Sequence, residues 1–286
     1  MNQHFLRKET AHMTDKIDTK TEKNNLWLTI KLQTQLYAID SSYVESISLL
    51  DQPISLLPES TVIKPGIMNS RGNVVPIINL RPALGLKTLE EEQTAFEEML
   101  EQRKKDHMHW VEEMERCLRE GTAFHLTTDP HKCAFGKWYD SYHTENQTIT
   151  FHLKKIDEPH KKLHETAHLA FECPRQCDDC EREKCLQNQL KEDAHTYMNI
   201  VVGLLEDAKK IFRENTRTMC IVTKDKNNAL LGLLVDEVLA VETLELKNLP
   251  VSCMNISGPQ ILSHIGEKQD LAATILVLDM EGIFSL

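Results

Sequence analysis

No apolar run in this 286-residue chain approaches the ~20 residues that a bilayer span requires, so nothing in it reads as a membrane crossing. Positive charge is in short supply: 33 Lys and Arg stand against 44 Asp and Glu, for a net charge of −11. That balance argues against nucleic acid or an anionic membrane as the main partner. Residues 1–25 are polar and charged and contain no apolar stretch of the secretory kind, so they read as a disordered leader of a cytoplasmic protein. Also missing are a phosphate-cradling glycine loop, a nucleophile elbow and any carboxylate pair at acid–base spacing, which removes the commoner catalytic readings. A hydrophobic fraction of 41% is enough for a packed core and excludes general disorder. In a reducing compartment thiols stay free unless they do chemistry or hold a metal. Eight cysteines therefore need an account, and four of them crowd at Cys173, Cys177, Cys180 and Cys185.

The chain changes character twice. Leu26-Trp-Leu-Thr-Ile-Lys-Leu alternates at period two, as a half-buried strand does, and Gln35-Leu-Tyr-Ala-Ile makes a second strand. Ser42–Ile47 reads as a short helix or turn leading into a further strand. Within Gly66–Leu80, Arg71-Gly72-Asn73 separates two apolar runs and predicts a hairpin turn with Gly72 or Asn73 at positive φ. Leu89 to Glu120 is rich in good helix formers and contains neither Gly nor Pro, with Glu90-Glu-Glu as a solvated face near the helix start. Thr148–Ala170 predicts another helix, capped or kinked by Pro159, and Leu186–Glu214 a last long one. On the latter, Ile200, Val201, Leu204, Leu205, Ala208 and Ile211 recur at helical spacing. Strands return at Met219–Thr223, at Ala229–Val235 (continued by Asp236–Leu244) and at Ala273–Asp279, with a turn at Asn227-Asn228. A helical unit inserted into a strand-rich one is the simplest account, and it is cheap when the insert's ends lie close together.

Inside the helical stretch stand His107-Met-His-Trp110, Cys133-Ala-Phe-Gly136-Lys-Trp138 and His160-Lys-Lys-Leu-His164. His160 and His164 are one turn apart on a helix, so both imidazoles can grip one ion. A tetrahedral site needs two more ligands, which His107 and Cys133 supply from other segments. Three histidines and one thiolate suit zinc best among common metals, and a closed four-ligand site leaves no position for a hydrolytic water. Trp110 and Trp138 are expected to pack in the bundle core and shield the site, with Gly136 letting the chain turn closely beside Cys133. His168 reads as an outlying or spare ligand, and His109, His125, His143 and His195 as surface residues.

The motif series HxxW, CxxGxW and HxxxH, in this order, resembles the chemoreceptor zinc-binding (CZB) domain of bacterial signalling proteins. The outer stretches resemble the CheW-type chemotaxis coupling proteins. That likeness rests on Gly66-Ile-Met-Asn-Ser-Arg-Gly-Asn-Val-Val-Pro-Ile-Ile-Asn-Leu-Arg81, on Leu84-Gly-Leu86, on Leu231–Val241 and on the terminal Ile275-Leu-Val-Leu-Asp-Met. The two resemblances together imply an α+β multidomain protein, with two small five-stranded β-barrels and an inserted all-α four-helix-bundle zinc domain. The implied divisions are 26–86 and 218–286 for the CheW-like halves and 87–217 for the insert, with a Cys-rich loop at 173–185. A non-enzymatic adaptor follows from the likeness, joining chemoreceptor cytoplasmic tips to the chemotaxis histidine kinase at receptor arrays. Arg71 matches the exposed arginine implicated in coupling. The insert's relatives are linked to zinc or oxidant sensing and often pair, which implies Cys133 as the redox-sensitive ligand and a homodimer through the zinc domain. A purely structural zinc staple is the plainer alternative for the same four residues.

The Cys173–Cys185 cluster is outside both signatures. It can hold a second zinc or an iron–sulfur cluster, or form a reversible disulfide, and the flanking acids favour a bound cation. Its CxxxCxxC portion has radical-enzyme spacing, but the strand–helix repeat of such an enzyme's barrel is absent. The competing function is accordingly a redox or metal-dependent enzyme using a Cys-rich cofactor site.

Overall fold

A computed structural model describes residues 26–172, 180–250, 260–268 and 271–286. Five strands precede the long helices: β1 (Leu26–Leu32), β2 (Gln35–Asp40), β3 (Val44–Leu49), β4 (Gly66–Ser70) and β5 (Asn73–Asn79). Six follow them: β6 (Met219–Lys224), β7 (Leu230–Val235), β8 (Glu237–Thr243), β9 (Glu245–Asn248), β10 (Leu262–Lys268) and β11 (Leu271–Leu278). The helices are α1 (Leu80–Ala83), α2 (Leu89–Glu120), α3 (Ala134–Ser141), α4 (Gln147–Leu153), α5 (Asp157–Glu172), α6 (Cys180–Asn215) and α7 (Met280–Phe284). None of the described helices is long and apolar enough to cross a membrane.

The strands form two sheets, in orders β8-β1-β2-β11-β10-β9 and β3-β6-β7-β5-β4. Both therefore mix strands from before and after the helices, so neither sheet is complete without the two ends of the chain. Closed five-stranded barrels were the expectation. The ladders found are one six-stranded and one five-stranded sheet, and among the described residues neither closes on itself. The extra strand comes from Asp236. There the chain leaves β7, which pairs with β6 and β5, and starts β8, which pairs with β1. The segment expected to continue β7 thus changes sheet.

A shared core lies between the sheets. It joins Leu28, Ile30, Leu32, Tyr37 and Ile39 of the first to Ile78, Ile221, Leu231, Leu233 and Val235 of the second. Strand β1 is covered on both faces, not half-buried: Trp27 packs with Ala38, Ile275 and Val277 on the side away from Leu28 and Ile30. The β4–β5 hairpin turns on Arg71 and Gly72, at φ 51° and 86°. Positive φ at both central residues is the geometry that matches strand twist in a two-residue turn. Of the two residues expected at positive φ, Gly72 takes it and Asn73 does not; the second left-handed position is the arginine itself. Asn69 Oδ1 steadies the turn by accepting from Gly72 N at 2.9 Å.

In the helical part α5 and α2 pack on α6, while α4 also lies on α6 and α3 on α2. Helix α2 starts with a capping box, Thr88 with Glu91, and ends at Gly121 in the left-handed conformation. Its buried stripe runs Phe96, Leu100, His107, Trp110, Val111, Met114 and Cys117. The facing stripe of α6 is Leu190, Ala194, Met198, Val201, Leu205, Ala208 and Phe212, whereas Ile200 is exposed. The helix expected over 148–170 breaks at a 3-10 turn, Lys154–Ile156. Pro159 sits in the first turn of α5, where its missing N–H has no intrahelical acceptor to lose.

Candidate metal centre

His107, Cys133, His160 and His164 meet in the helical part, with one ligand atom from each lying within 4.8 Å of all the others. All four are buried. They interrupt what would otherwise be one apolar core. On one side are Phe96, Leu100, Phe135, Ile149, Ile156, Val201 and Leu205; on the other Trp110, Val111, Met114, Leu163, Ala167 and Met198.

Each ligand is fixed by its own element. His107 comes from the inward stripe of α2, and its Nδ1 lies 3.3 Å from the Arg103 carbonyl, which orients the ring with Nε2 toward the cluster. His160 and His164 project from α5 one turn apart, with ring centroids 4.8 Å from each other. Cys133 is the N-cap of α3, and its Sγ accepts from Gly136 N at 3.1 Å. Gly136 is required there, because a Cβ would lie 1.8 Å from the Pro130 carbonyl oxygen. Glycine therefore serves close approach inside a helix, not a turn.

The donors fit a metal on their own chemistry. Nε2 of His107 and both ring nitrogens of His164 are buried with no hydrogen-bond partner. Orphaned nitrogens of this kind cost about 1–3 kcal/mol each unless something satisfies them. Cys133 Sγ lies 3.4 Å from His160 Nε2. Two ligands of one tetrahedral zinc, with bonds of about 2.3 Å to sulfur and 2.0 Å to nitrogen, stand about 3.5 Å apart.

Burial keeps the imidazoles neutral, the form that ligates. It pushes His107 down to about 4 from the ordinary 6.5, with the Arg103 carbonyl acting weakly in the other direction. His160 falls lower still, to about 2, through burial and the nearby His107 and His164. His164 falls to about 4 through burial and His107, against the weaker upward pull of the Thr127 and Thr128 carbonyls beside it. The Cys133 thiol moves up, because burial outweighs the backbone N–H groups of Gly136 and Phe135.

Aromatic rings wall the cluster: Phe135 lies 4.6 Å from His107 and Trp110 4.4 Å from His164 between centroids. Trp110 Nε1 donates to the Thr127 carbonyl at 3.0 Å. Trp138 packs on Phe135 and Tyr142, one shell further out than expected. A cleft of about 290 Å³ reaches His107 and Cys133 past Asp106 and Lys132. A second, of about 390 Å³, reaches His164 beside Asp129, Lys161 and His168. His168 is exposed and is not one of the convergent four. His109, His125, His143 and His195 are exposed, as their isolation in sequence suggested, and His195 sits 2.7 Å from Glu115. Cys173 and Cys177 lie outside the described residues, as do the side chains of Cys180 and Cys185, and with them every reading of that cluster.

Two groups escaped the sequence reading. His152 is buried, its Nε2 2.8 Å from the Leu204 carbonyl, and no motif marks it. Arg81 is 5% exposed and holds Asp236 through two contacts of 2.6 Å and Glu92 through a third of 2.6 Å. It ties the start of α2 to the crossing from β7 to β8. Asp236 also accepts from Gln33 N at 2.7 Å, holding the β1–β2 turn, where Gln33 is at φ 53°. Arg81 stood within the family-like stretch, yet its partners are 11 and 155 residues away, beyond any local pattern. Glu92 is consequently no part of a purely solvated face.

The comparisons with known proteins fall on the same elements. The CheW-like domain profile matches residues 26–103, and the chemoreceptor zinc-binding domain profile matches residues 107–171. No curated protein matches the chain. Among solved structures, the scaffolding protein TtCheW from Thermoanaerobacter tengcongensis aligns at TM-score 0.40 and 12% identity, over 92% of this chain and 93% of that one. The first strands and the start of α2 thus match the CheW-like domain family, and the segment that brings together the buried His/Cys/His/His cluster matches the chemoreceptor zinc-binding domain.

Proposed function

We propose that the chain is a non-catalytic chemotaxis adaptor whose helical insert, residues 87–217, holds one zinc ion and adjusts coupling by the two CheW-like halves, 26–86 and 218–286. His107, Cys133, His160 and His164 are the ligands. The observation that carries this reading is the set of buried ring nitrogens with no protein partner, converging on a cysteine sulfur. A closed set of one thiolate and three imidazoles serves structure or sensing, not hydrolysis. Bound zinc would hold Cys133 as the thiolate, the form that oxidants attack.

The partners follow from the CheW-like family: a chemotaxis histidine kinase and chemoreceptor cytoplasmic tips, with the protein residing at their arrays. Arg71 belongs to the contact surface. It stands exposed at the tip of a two-residue turn, at φ 51°, where its side chain is open to a partner.

Metal analysis of the purified full chain tests the site. One zinc per chain, lost in His164→Ala and Cys133→Ala, is the expected result; zinc retained in both variants would reject the assignment. The same count addresses Cys173–Cys185, since a second metal there would disappear on replacing Cys177 and Cys180 with serine. Sedimentation with and without chelator shows whether the zinc domain pairs two chains.

A further inference from the structure

We propose that Arg103 is a positioning residue for the metal quartet: its guanidinium ties the segment bearing Cys133 to the turn of α2 bearing His107, and so sets how far apart these two ligands stand. The proposal rests on the zinc reading of the quartet. Arg103 Nη1 donates to the carbonyl of Ala134, the residue after Cys133, at 3.1 Å. The same nitrogen lies 3.2 Å from Oδ2 of Asp106, the residue before His107. One nitrogen therefore stands between the neighbours of two ligands that are far apart in sequence, hydrogen-bonded to one and ion-paired with the other. Asp106 is held in turn, its Oδ1 accepting from Gln102 Nε2 at 2.9 Å. The Arg103 side chain is 22% exposed and its Nε is buried without a partner, so the guanidinium is partly covered, with Nη1 at the edge of the cluster.

The placement matters because α3 has only eight residues, about two turns, and starts right after its ligand, so no helical turn precedes Cys133 to hold it in register. Phe135 packs against His107, but an apolar contact fixes area and leaves rotation and sliding open. A charged hydrogen bond to the first carbonyl of α3 fixes direction. The Arg103 main-chain carbonyl meanwhile faces His107 Nδ1, so the same turn of α2 orients one ligand through its backbone and seats the other through its side chain. Outer-sphere groups that orient ligands typically change metal affinity by about 10- to 100-fold when removed.

The test uses the full chain with Arg103→Gln and Arg103→Lys, and with Lys105→Gln as a control for loss of one positive charge on an exposed neighbouring position. Two quantities are read: zinc affinity by competition with a chromophoric chelator, and the rate of iodoacetamide labelling of Cys133 in zinc-free protein, followed on the Cys133 peptide by mass spectrometry. Arg103→Gln is expected to weaken zinc about tenfold relative to Lys105→Gln and to speed Cys133 labelling several-fold, with Arg103→Lys between. A labelling rate in Arg103→Gln equal to that of the control overturns the proposal, and so does equal zinc affinity. If the parent chain binds no zinc, the zinc reading fails separately, while the labelling comparison still decides what Arg103 does. Should Arg103→Gln not fold, Arg103→Lys carries the same comparison.

Discussion

Four protonation states decide what the centre can do. Zinc binding requires neutral imidazoles and a thiolate, and the fold supplies the first without the second. With His107, His160 and His164 at about 4, 2 and 4, all three are neutral well below physiological pH, whereas burial keeps the Cys133 proton on. Loading zinc between pH 5.5 and 8 should therefore release about one proton per metal, the thiol's own. Titration calorimetry in buffers of different ionisation enthalpy measures this; a release of two or more would mean that the histidines are not held neutral. The zinc-free protein has a matching pH dependence. Folded histidine values below the unfolded 6.5 mean that the unfolded chain binds more protons, so stability rises with pH from about 4 to about 6.5 and levels off above. Denaturant midpoints across that range report it, and a flat profile would contradict the burial of the quartet. At Arg71 the expected outcome has opposite signs for two properties. Arg71→Asn relieves a left-handed arginine and should gain about 0.5–1 kcal/mol in stability while losing affinity for the array partners.

One short element controls the centre's geometry, and one junction anchors the start of α2. Helix α3 positions Cys133, and Gly136 is the residue that lets α3 approach Pro130. Gly136→Ala should cost about 1–3 kcal/mol, since the clash is with backbone, and should weaken zinc binding as well. A thermal melt beside a zinc competition assay checks both. The junction at Arg81 is asymmetric: two contacts hold Asp236 and one holds Glu92, whose side chain is 38% exposed. Glu92→Gln leaves Arg81 satisfied by Asp236, so the expected loss is small, about 1 kcal/mol after screening. It should appear as faster hydrogen exchange in the first turns of α2.

Much of the element order was legible because it depends on local pattern. The glycine- and proline-free run Leu89–Glu120 is α2 residue for residue, and Leu26–Leu32 is β1. The quartet was legible through spacing and companion residues. What escaped depends on contacts between distant segments. The change of sheet at Asp236 is set by pairing with β1 and by Arg81, neither visible around residue 236. The short α3 was missed because its eight residues are too few for periodicity. The break at Lys154–Ile156 carries no proline; Pro159 pointed to the right helix and the wrong residue.

For the whole molecule the decisive feature is interdependence. Both sheets need strands from either side of the helical part, so the two ends of that part, entering at Leu89 and leaving at Asn215, are held by the same pair of sheets. Gln93 on α2 donates to Thr216 just past α6 at 3.0 Å, and Lys31 on β1 meets Glu145, between α3 and α4, at 2.6 Å. A change in how α3 sits has a short physical route to the six-stranded sheet. On the proposed function, zinc at the quartet adjusts coupling through the sheets. Its most direct test is kinase activity in reconstituted receptor–kinase assemblies containing the full chain, zinc-loaded or chelated, alongside Cys133→Ala. A several-fold change on chelation that is absent in Cys133→Ala is expected, with both proteins still incorporated into the assemblies. Identical kinase activity before and after demonstrated zinc loss would contradict it and leave the centre a structural staple.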